Sequence, residues 1–307
     1  MTAEHQRNEP DGIFAPFVIE VPASTSNIAV GYDCLGMAMT LHSKFAFSPA
    51  DTLTVSGCPE EFCNEDNLVN QAYLKGCDAL GLTPMPYAVE IRAQVPVARG
   101  LGSSSTCIVA GIMAAGVMAG CPFPASEVIR LATEMEGHPD NAAPAVLGSL
   151  VCSFTPEGEE PVCLPLQTSK DLRYVTIIPS YEVKTHEARK VVPTEVPTST
   201  AVWQMGRCTA AVLALQTGDI ELLGKACVDK LQEPFRKALI PEYDDVKAAA
   251  AEHGGVMWIS GSGSTLMAAV KGDEAASELA DTLKTMYPDY AVLKLKADTQ
   301  GATVTSA

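Results

Sequence analysis

The stretch VPVARGLGSSST, Val95 to Thr106, carries the strongest functional signal in this chain. Two glycines and three consecutive serines stand directly ahead of the apolar run Cys107 to Gly120. Tyr87 to Val95 (YAVEIRAQV) alternates apolar and polar residues, which predicts a half-buried strand, and the apolar run predicts a packed helix. The local order is therefore strand, glycine loop, helix, and the free amides at the start of such a helix can bind an anion.

Two common phosphate-binding motifs do not fit this stretch. A Walker A loop requires Lys after its last glycine, where this chain has Ser103, and a dinucleotide fingerprint requires a third glycine where it has Ser105. A tight turn with a helix cap is the alternative, but one serine would be enough for a cap. The combination of glycines and hydroxyls therefore predicts phosphate binding.

Composition limits the class of protein. With 307 residues and 47% hydrophobic content, the chain can bury a large core, which favours two domains. Its longest apolar run is shorter than the roughly 20 residues of a membrane span, and the polar start MTAEHQRNEPDG predicts no export signal. The 10 cysteines include no C-x-x-C pair, which predicts a reduced, cytoplasmic protein. The net charge of -16 argues against a nucleic-acid partner.

The first half of the chain mixes predicted strands and helices. The spacing of apolar residues and the local composition predict strands at Phe17 to Val21, Phe45 to Phe47 and Leu53 to Val55, and a helix at Asn67 to Leu80. The segment Thr155 to Pro165, rich in proline and acidic residues, predicts a surface connection near a domain boundary. We therefore divide the chain into residues 1–165 and 166–307.

The second half has a different order of elements. Its predicted strands are Arg173 to Ile178, Val256 to Ile259, Thr265 to Val270 and Tyr290 to Leu295. Its predicted helices are Thr200 to Thr217, Asp219 to Leu231, Tyr243 to His253 and Asp273 to Met286. Within this set, the order strand, helix, strand, strand, helix, strand predicts a ferredoxin-like α+β domain with additional helices.

Three motifs resemble those of one family. VPVARGLGSSST resembles the ATP-binding motif P-x-x-x-G-L-G-S-S-A-A of the GHMP kinases, although Ser105 and Thr106 replace the usual alanines. Val21 to Met39 (VPASTSNIAVGYDCLGMAM) resembles the substrate-binding segment of the homoserine kinase branch, and Ser260 to Thr265 (SGSGST) its third glycine loop. The resemblance implies an α+β fold of two domains, an N-terminal α/β domain like ribosomal protein S5 domain 2 and a ferredoxin-like C-terminal domain.

The same resemblance implies that ATP and Mg²⁺ bind here. The implied ATP contacts are Asn67, Pro96, Val97, Ala98, Arg99, Gly100, Leu101, Gly102, Ser103, Ser104 and Ser105. Asn67 is equally well explained as a helix cap, and for the Arg99 side chain we expect a position in solvent. Ser104 and Glu136 are the implied metal ligands, with Glu134 as an alternative to Glu136.

The implied phosphate acceptor is an α-amino acid. Glu134 to Ser149 contains EGHPDN, and Thr185 to Pro193 and Asp229 to Pro241 each contain an arginine, all in segments that resemble homoserine kinases. A bidentate arginine is the best partner for a carboxylate, and an acidic residue suits the ammonium, for which we assign Asp33. The implied substrate contacts are Asn27, Asp33, His138, Thr185, Arg189, Arg236 and Gly261.

The implied catalytic residues are His138, Asp140 and Asn141. Mevalonate-type relatives use an Asp as the presumed base, and the resemblance implies that Asn141 replaces it here, with Asp140 left open as an alternative. The predicted reaction is transfer of the γ-phosphate of ATP to the hydroxyl of L-homoserine, a step towards threonine. A kinase acting on threonine or a related amino acid, and a catalytically silent ligand sensor, are the alternatives. The resemblance also allows a homodimer.

Overall fold

The computed structural model describes residues 14–307, so the polar N-terminal segment considered above lies outside the described residues. The strands are β1 (Phe17–Ser26), β2 (Leu35–Pro49), β3 (Thr54–Ser56), β4 (Tyr87–Ala93), β5 (Leu150–Phe154), β6 (Val162–Leu166), β7 (Leu172–Ile178), β8 (Val256–Ile259), β9 (Leu266–Lys271), β10 (Ala291–Leu295) and β11 (Thr303–Ser306). The helices are α1 (Leu68–Leu80), α2 (Ser103–Met118), α3 (Ala125–Glu136), α4 (Ala142–Leu147), α5 (Thr185–Lys190), α6 (Thr198–Thr217), α7 (Ile220–Ala226), α8 (Glu233–Arg236), α9 (Tyr243–Glu252) and α10 (Asp273–Met286).

The first sheet has seven strands and packs against α1, α2 and α4. Its order is β11-β1-β2-β4-β3, with β5 beside the start of β2 and β6 beside β5. The long strand β2 can serve both β4 and β5 because its residues 43–49 pair with β4 and residues 35–37 with β5. Helix α2 is apolar on nearly every side, as the sequence predicted, since it is enclosed by α1, α3 and the sheet.

The second sheet has the order β10-β7-β9-β8, and all its strands are antiparallel. Helices α9 and α10 pack on it through a buried core that includes Val246, Ala250 and Leu279. This arrangement of strand, helix, strand, strand, helix and strand confirms the ferredoxin-like prediction. Strand β8 and helix α10 have the bounds that the sequence predicted.

Two predicted elements were wrong in part. The predicted helix Asp219 to Leu231 ends at Ala226, because the Asp229 carboxylate accepts from the backbone amides of Leu231 and Gln232 at 2.6 and 2.7 Å and so begins a separate turn. The predicted surface connection Thr155 to Pro165 is a loop only at its start. Its last four residues belong to β6, which pairs with β5 as a hairpin.

The chain crosses between the two sheets twice. Residues 167–171 lead from β6 to β7, and residues 296–302 lead back from β10 to β11, which pairs antiparallel with β1. The final strand therefore completes the first sheet, while the division at residue 165 stays a prediction. Across residues 14–307, no helix is both long enough and apolar enough for a membrane span.

Candidate active site

The glycine loop opens into a cavity of about 450 Å³ between the two sheets, which we call the central cavity. Gly100 and Gly102 both adopt left-handed backbone conformations, with φ of 75° and 69°. A Cβ atom on Gly100 would lie 2.1 Å from the Ser260 carbonyl oxygen, and one on Gly102 would lie 2.1 Å from Ser24 Oγ. Glycine is required at both positions because the third glycine loop packs against Gly100 and strand β1 packs against Gly102. Helix α2 begins at the next residue, so its free amides face the cavity.

The third glycine loop holds the first one in place. Ser260 Oγ donates to the Gly100 carbonyl oxygen at 2.7 Å, and the Thr265 amide donates to the Arg99 carbonyl oxygen at 3.3 Å. Ser260 and Thr265 are both completely buried. The two loops that resemble motifs of one family are therefore in direct contact, although Gly100 and Ser260 are 160 positions apart in sequence.

The expectation that the Arg99 side chain lies in solvent was wrong. Its guanidinium donates to the carbonyl oxygens of Pro179 at 3.1 Å and Ser180 at 2.7 Å, and it pairs with Glu182 at 3.2 Å. The loop after β7 presents these carbonyl oxygens, which attract the nearest cation. Arg99 thus joins the glycine loop to the second sheet.

Glu136 and Ser105 meet at the base of the central cavity. Ser105 Oγ donates to Glu136 Oε2 at 2.7 Å, and Ser105 is buried. Burial raises the pKa of Glu136, and hydrogen bonds from Ser105 and Ser104 act in the opposite direction. Glu134 points away, towards Lys75 and Arg130, and does not line the cavity. Of the two carboxylates between which the sequence could not decide, Glu136 lines the cavity and Glu134 does not.

These oxygen ligands fit Mg²⁺. Mg²⁺ is usually bound by one or two protein carboxylates together with substrate phosphates, and rarely by a complete protein cage. Residues 14–307 contain no cluster of three or more His, Cys, Asp or Glu side chains that could hold a metal ion. The Glu136 carboxylate and the Ser104 hydroxyl face the cavity beside the glycine loop. A buried carboxylate that needs a counter-charge is a suitable metal ligand.

His138, Asp140 and Asn141 line the same cavity. His138 Nδ1 donates to Asp140 Oδ1, and this hydrogen bond raises the pKa of His138 while burial opposes the shift. Asn141 accepts from Ser24 Oγ at 2.9 Å and donates to Ser26 Oγ at 3.0 Å. Both ends of the Asn141 amide are therefore held by the end of β1.

Asn27 and Asp33 stand in strained backbone positions. Both adopt left-handed conformations, with φ of 61° and 54°, which are uncommon outside glycine and often mark functional sites. The Asn27 side chain donates to the Gly261 carbonyl oxygen at 2.8 Å and accepts from the Asp33 amide at 2.9 Å. Asn27 thereby fixes the loop that presents the Asp33 carboxylate to the cavity.

Two arginines enter the cavity from the second half of the chain. Arg189 forms a bidentate pair with Asp33, at 2.9 and 3.0 Å. Arg236 is 2% exposed and donates to the carbonyl oxygens of Ala188 and Gly261, each at 3.1 Å. It forms no ion pair with any residue in 14–307, and burial lowers its pKa. A buried cation without a carboxylate partner is a strong binding site for an anion.

A second cavity, of about 460 Å³, lies on the other side of the loop, and we call it the side cavity. Its walls are mostly apolar and include Phe62, Ile91 and Val95, and it shares Ser103 and Ser104 with the central cavity. None of the described residues that line it is charged. An apolar pocket next to a phosphate loop suits a nucleotide base.

Most of the predicted site residues come together. Those that line the central cavity are Asn27, Asp33, Ala98, Gly100, Gly102, Ser103, Ser104, Ser105, Glu136, His138, Asp140, Asn141, Thr185, Arg189, Arg236 and Gly261. Asn67 and Val97 line the side cavity, and Asn67 also caps α1 by accepting from the Val69 amide at 2.9 Å. Pro96, Arg99 and Leu101 line neither cavity.

Sequence reasoning missed three contributors. Ser24 and Ser26 hold Asn141, and both lie in the quoted segment Val21 to Met39, where a polar pair at period two on one strand was the available signal. Tyr32 lies beside both arginines, with its ring 4.9 Å from the Arg236 guanidinium and 5.9 Å from that of Arg189. No local pattern around Tyr32 indicates this role.

The chain is similar to known proteins over most of its length. The model of the GHMP kinases N terminal domain matches residues 67–149, and that of the GHMP kinases C terminal domain matches residues 211–289. The homoserine kinase of Clostridium botulinum is 35% identical over 291 residues, which cover 92% of this chain and 97% of that protein. The homoserine kinase of Crocosphaera subtropica is 38% identical over 300 residues, covering 93% and 96%.

A solved structure leads to the same assignment. The crystal structure of homoserine kinase from Cytophaga hutchinsonii superposes with a TM-score of 0.85 at 28% identity, over 95% of this chain and 98% of that one. The fold and site define a two-domain small-molecule kinase of the GHMP type. The chain belongs, within that class, to the homoserine kinase family. The predicted family and fold class are therefore confirmed.

Proposed function

We propose that this chain transfers the γ-phosphoryl group of ATP to the side-chain hydroxyl of L-homoserine, giving O-phospho-L-homoserine. The observation that carries the proposal is the buried, unpaired Arg236 beside the Arg189–Asp33 pair, in the cavity that also contains the glycine loop. A cation that pairs with no carboxylate among residues 14–307 suits the acceptor carboxylate, and the acidic neighbour suits its ammonium. The relatives named homoserine kinase support the same acceptor.

The nucleotide half of the site uses both cavities. The amides at the start of α2 would bind the β- and γ-phosphates, while the base would lie in the side cavity beside Asn67. Glu136 and the Ser104 hydroxyl would hold Mg²⁺, which supplies charge stabilisation where negative charge develops between the phosphates. Ser105 keeps the Glu136 carboxylate facing the loop.

The acceptor half positions a hydroxyl for in-line attack. Arg236 and Arg189 would bind the carboxylate, Asp33 the ammonium, and His138 the reacting end of the substrate. Thr185 and Gly261 line the cavity beside them. Phosphoryl transfer through a loose transition state depends mainly on such positioning, and less on covalent help from the protein.

We propose that no carboxylate acts as a base on the acceptor hydroxyl. Asn141 is an amide whose two polar ends are already hydrogen bonded, and Asp140 is 1% exposed and bonded to His138. In a loose transition state the acceptor hydroxyl needs little proton removal before the phosphoryl group arrives. We therefore propose that the hydroxyl proton leaves late, onto the transferred phosphoryl oxygens or water.

One assay tests the proposal and its alternatives. ADP release is measured with MgATP and, in turn, L-homoserine, L-threonine, mevalonate and galactose. We expect turnover with homoserine. Activity confined to mevalonate or galactose would contradict an amino-acid acceptor. A preference for threonine would favour the related amino-acid kinase. Saturable binding without turnover would favour a catalytically silent sensor. A cytoplasmic location and a homodimer remain predictions from the sequence.

A further inference from the structure

Two cysteines face each other in the turn that follows β3. Cys58 Sγ and Cys63 Sγ are 3.6 Å apart, because the short 3-10 turn Glu60–Phe62 folds the chain back on itself. Cys63 is exposed, whereas Cys58 is half-buried. Two thiols already in contact, one of which meets solvent, need only a small movement to form a disulfide, whose sulfur atoms lie about 2.05 Å apart.

This turn forms one wall of the side cavity. Cys58, Pro59 and Phe62 line the cavity, and the Phe62 carbonyl oxygen accepts from Asn67 Nδ2 at 2.8 Å. Asn67 Nδ2 also lies 3.9 Å from Cys58 Sγ. The thiols are therefore connected, through one carbonyl oxygen and one amide, to the residue that caps α1 and lines the proposed base pocket.

We propose that Cys58 and Cys63 form a reversible disulfide when the protein meets a small-molecule disulfide, and that this disulfide weakens nucleotide binding at the side cavity. The second clause rests on the proposed function, since it takes the side cavity to hold the base of ATP. Neither cysteine lies in the glycine loop or in any segment that resembles the GHMP motifs.

The reaction balances as a thiol–disulfide exchange. The Cys63 thiolate attacks one sulfur of the small disulfide, forms a mixed disulfide and releases the first small thiol. The Cys58 thiolate then attacks the Cys63 sulfur and releases the second. The two cysteines lose two electrons and two protons, and the small disulfide gains them as two thiols.

The two thiols are suited to different steps. Exposed Cys63 is the one that a small disulfide can reach first. Burial and the neighbouring thiol raise the pKa of Cys58 to about 11, which slows its reaction with external reagents. Its contact with Cys63 at 3.6 Å makes the second step intramolecular, which compensates for its small thiolate fraction.

Closing the disulfide has a structural cost at the cavity wall. Residue 56 is held in the sheet, where Ser56 pairs with Glu90, so the Cys58 end of the turn is anchored. We therefore expect the exposed Cys63 end to move and to carry its neighbour Phe62 along. We expect the hydrogen bond from Asn67 to Phe62 to lengthen and the cavity wall to shift.

The test treats the whole protein with glutathione disulfide. Peptide mapping by mass spectrometry should find a Cys58–Cys63 link that dithiothreitol removes. Calorimetric titration with ATP, without acceptor, should then show affinity weakened roughly fivefold, which is the net contribution of about one hydrogen bond. Cys63→Ser should abolish both effects, while Cys121→Ser, which removes another exposed thiol, should leave both intact.

The outcomes separate this inference from the proposed function. Absence of the link, or a link that leaves ATP affinity unchanged, would overturn the inference while homoserine-dependent turnover of the reduced protein stands. Failure of the reduced protein to bind ATP would overturn the proposed function, and with it the proposal that the disulfide weakens nucleotide binding. The same affinity loss in Cys63→Ser would show that the oxidant acts elsewhere, which also overturns the inference.

Discussion

Arg189 donates from both ends of its guanidinium to the two carboxylate oxygens of Asp33, at 2.9 and 3.0 Å, although 156 residues separate them in sequence. In the proposed function these two groups bind the carboxylate and the ammonium on the α-carbon of one substrate. A zwitterionic acceptor can take the place of both partners in this ion pair. Its carboxylate binds Arg189 in place of Asp33, and its ammonium binds Asp33 in place of Arg189. A ligand with only one of these charges leaves the other group without a partner, so the pair favours amino acids.

Arg189→Lys tests the bidentate contact. The lysine keeps the charge but loses the planar fork, so we expect the KM for homoserine to rise roughly tenfold while the KM for ATP stays unchanged. Arg173→Lys is the matched control, since Arg173 forms a similar bidentate pair with Asp273 outside the central cavity. Equal effects of the two substitutions would contradict a role in acceptor binding.

Arg236→Met separates binding from stability. Removing a charged hydrogen-bond donor to the acceptor should raise its KM roughly tenfold to a hundredfold. The urea midpoint should change little, because loss of the hydrogen bonds to Ala188 and Gly261 is offset by removal of a buried, unpaired charge. A large drop in the midpoint with unchanged acceptor KM would instead indicate a purely structural arginine.

Ser105→Ala tests how Glu136 is held. Alanine is the residue usual in the family motif, so the fold should tolerate it, but the 2.7 Å hydrogen bond to Glu136 is lost. We expect the Mg²⁺ concentration for half-maximal activity to rise roughly threefold to tenfold, in line with one hydrogen bond to a charged group. Thr106→Val removes a neighbouring buried hydroxyl that donates to the Ser103 carbonyl oxygen at 2.8 Å and not to Glu136. Its Mg²⁺ requirement should match that of the wild type.

Arg99→Ala should loosen the junction between the glycine loop and the second sheet. Loss of the hydrogen bonds to Pro179 and Ser180 is expected to lower the free energy of unfolding by about 1–3 kcal/mol, measured by urea denaturation. Arg92→Ala removes an exposed arginine that pairs with Glu90, and it should leave the free energy of unfolding nearly unchanged. Comparable losses would argue against Arg99 as a structural link.

Glu233 predicts a pH dependence of stability. Burial raises its pKa from 4.5 to about 7, with hydrogen bonds from Tyr243 and the Ile259 amide acting in the opposite direction. The stability due to this group is complete below pH 4.5 and is lost as pH rises through about 7, because the unfolded chain releases the proton first. Relative to wild type, Glu233→Gln should gain about 2 kcal/mol between pH 5 and pH 8. Exposed Glu221→Gln should show no such gain.

The site could be predicted from the sequence where its parts are contiguous. The loop Gly100 to Ser105, the segment EGHPDN and the two arginine segments are each short and ordered, and they come together as expected. The direction of the Arg99 side chain could not be predicted, because the carbonyl oxygens that bind it lie 80 and 81 residues further along the chain. The side cavity was missed for the same reason, since its walls come from several separate elements.

Glu134 and Glu136 show that sequence spacing alone does not tell which side of a helix faces a cavity. Two residues apart on α3, the carboxylates point in different directions, so one pairs with Lys75 and Arg130 and the other faces the cavity. Spacing alone predicts that they diverge, but not which one faces the phosphates. That depends on how α3 packs against α2, which is a tertiary property.

The pairing of β11 with β1 has a consequence for how the protein is made. Strand β1 leaves the ribosome long before β11, so the outer edge of β1 stays unpaired while the strands between them are made. During that interval the two glycine loops cannot complete their contact either, since Ser260 emerges long after Gly100. The nascent chain therefore joins its two glycine loops only after Ser260 has been made, and it closes this sheet edge only after β11 has been made.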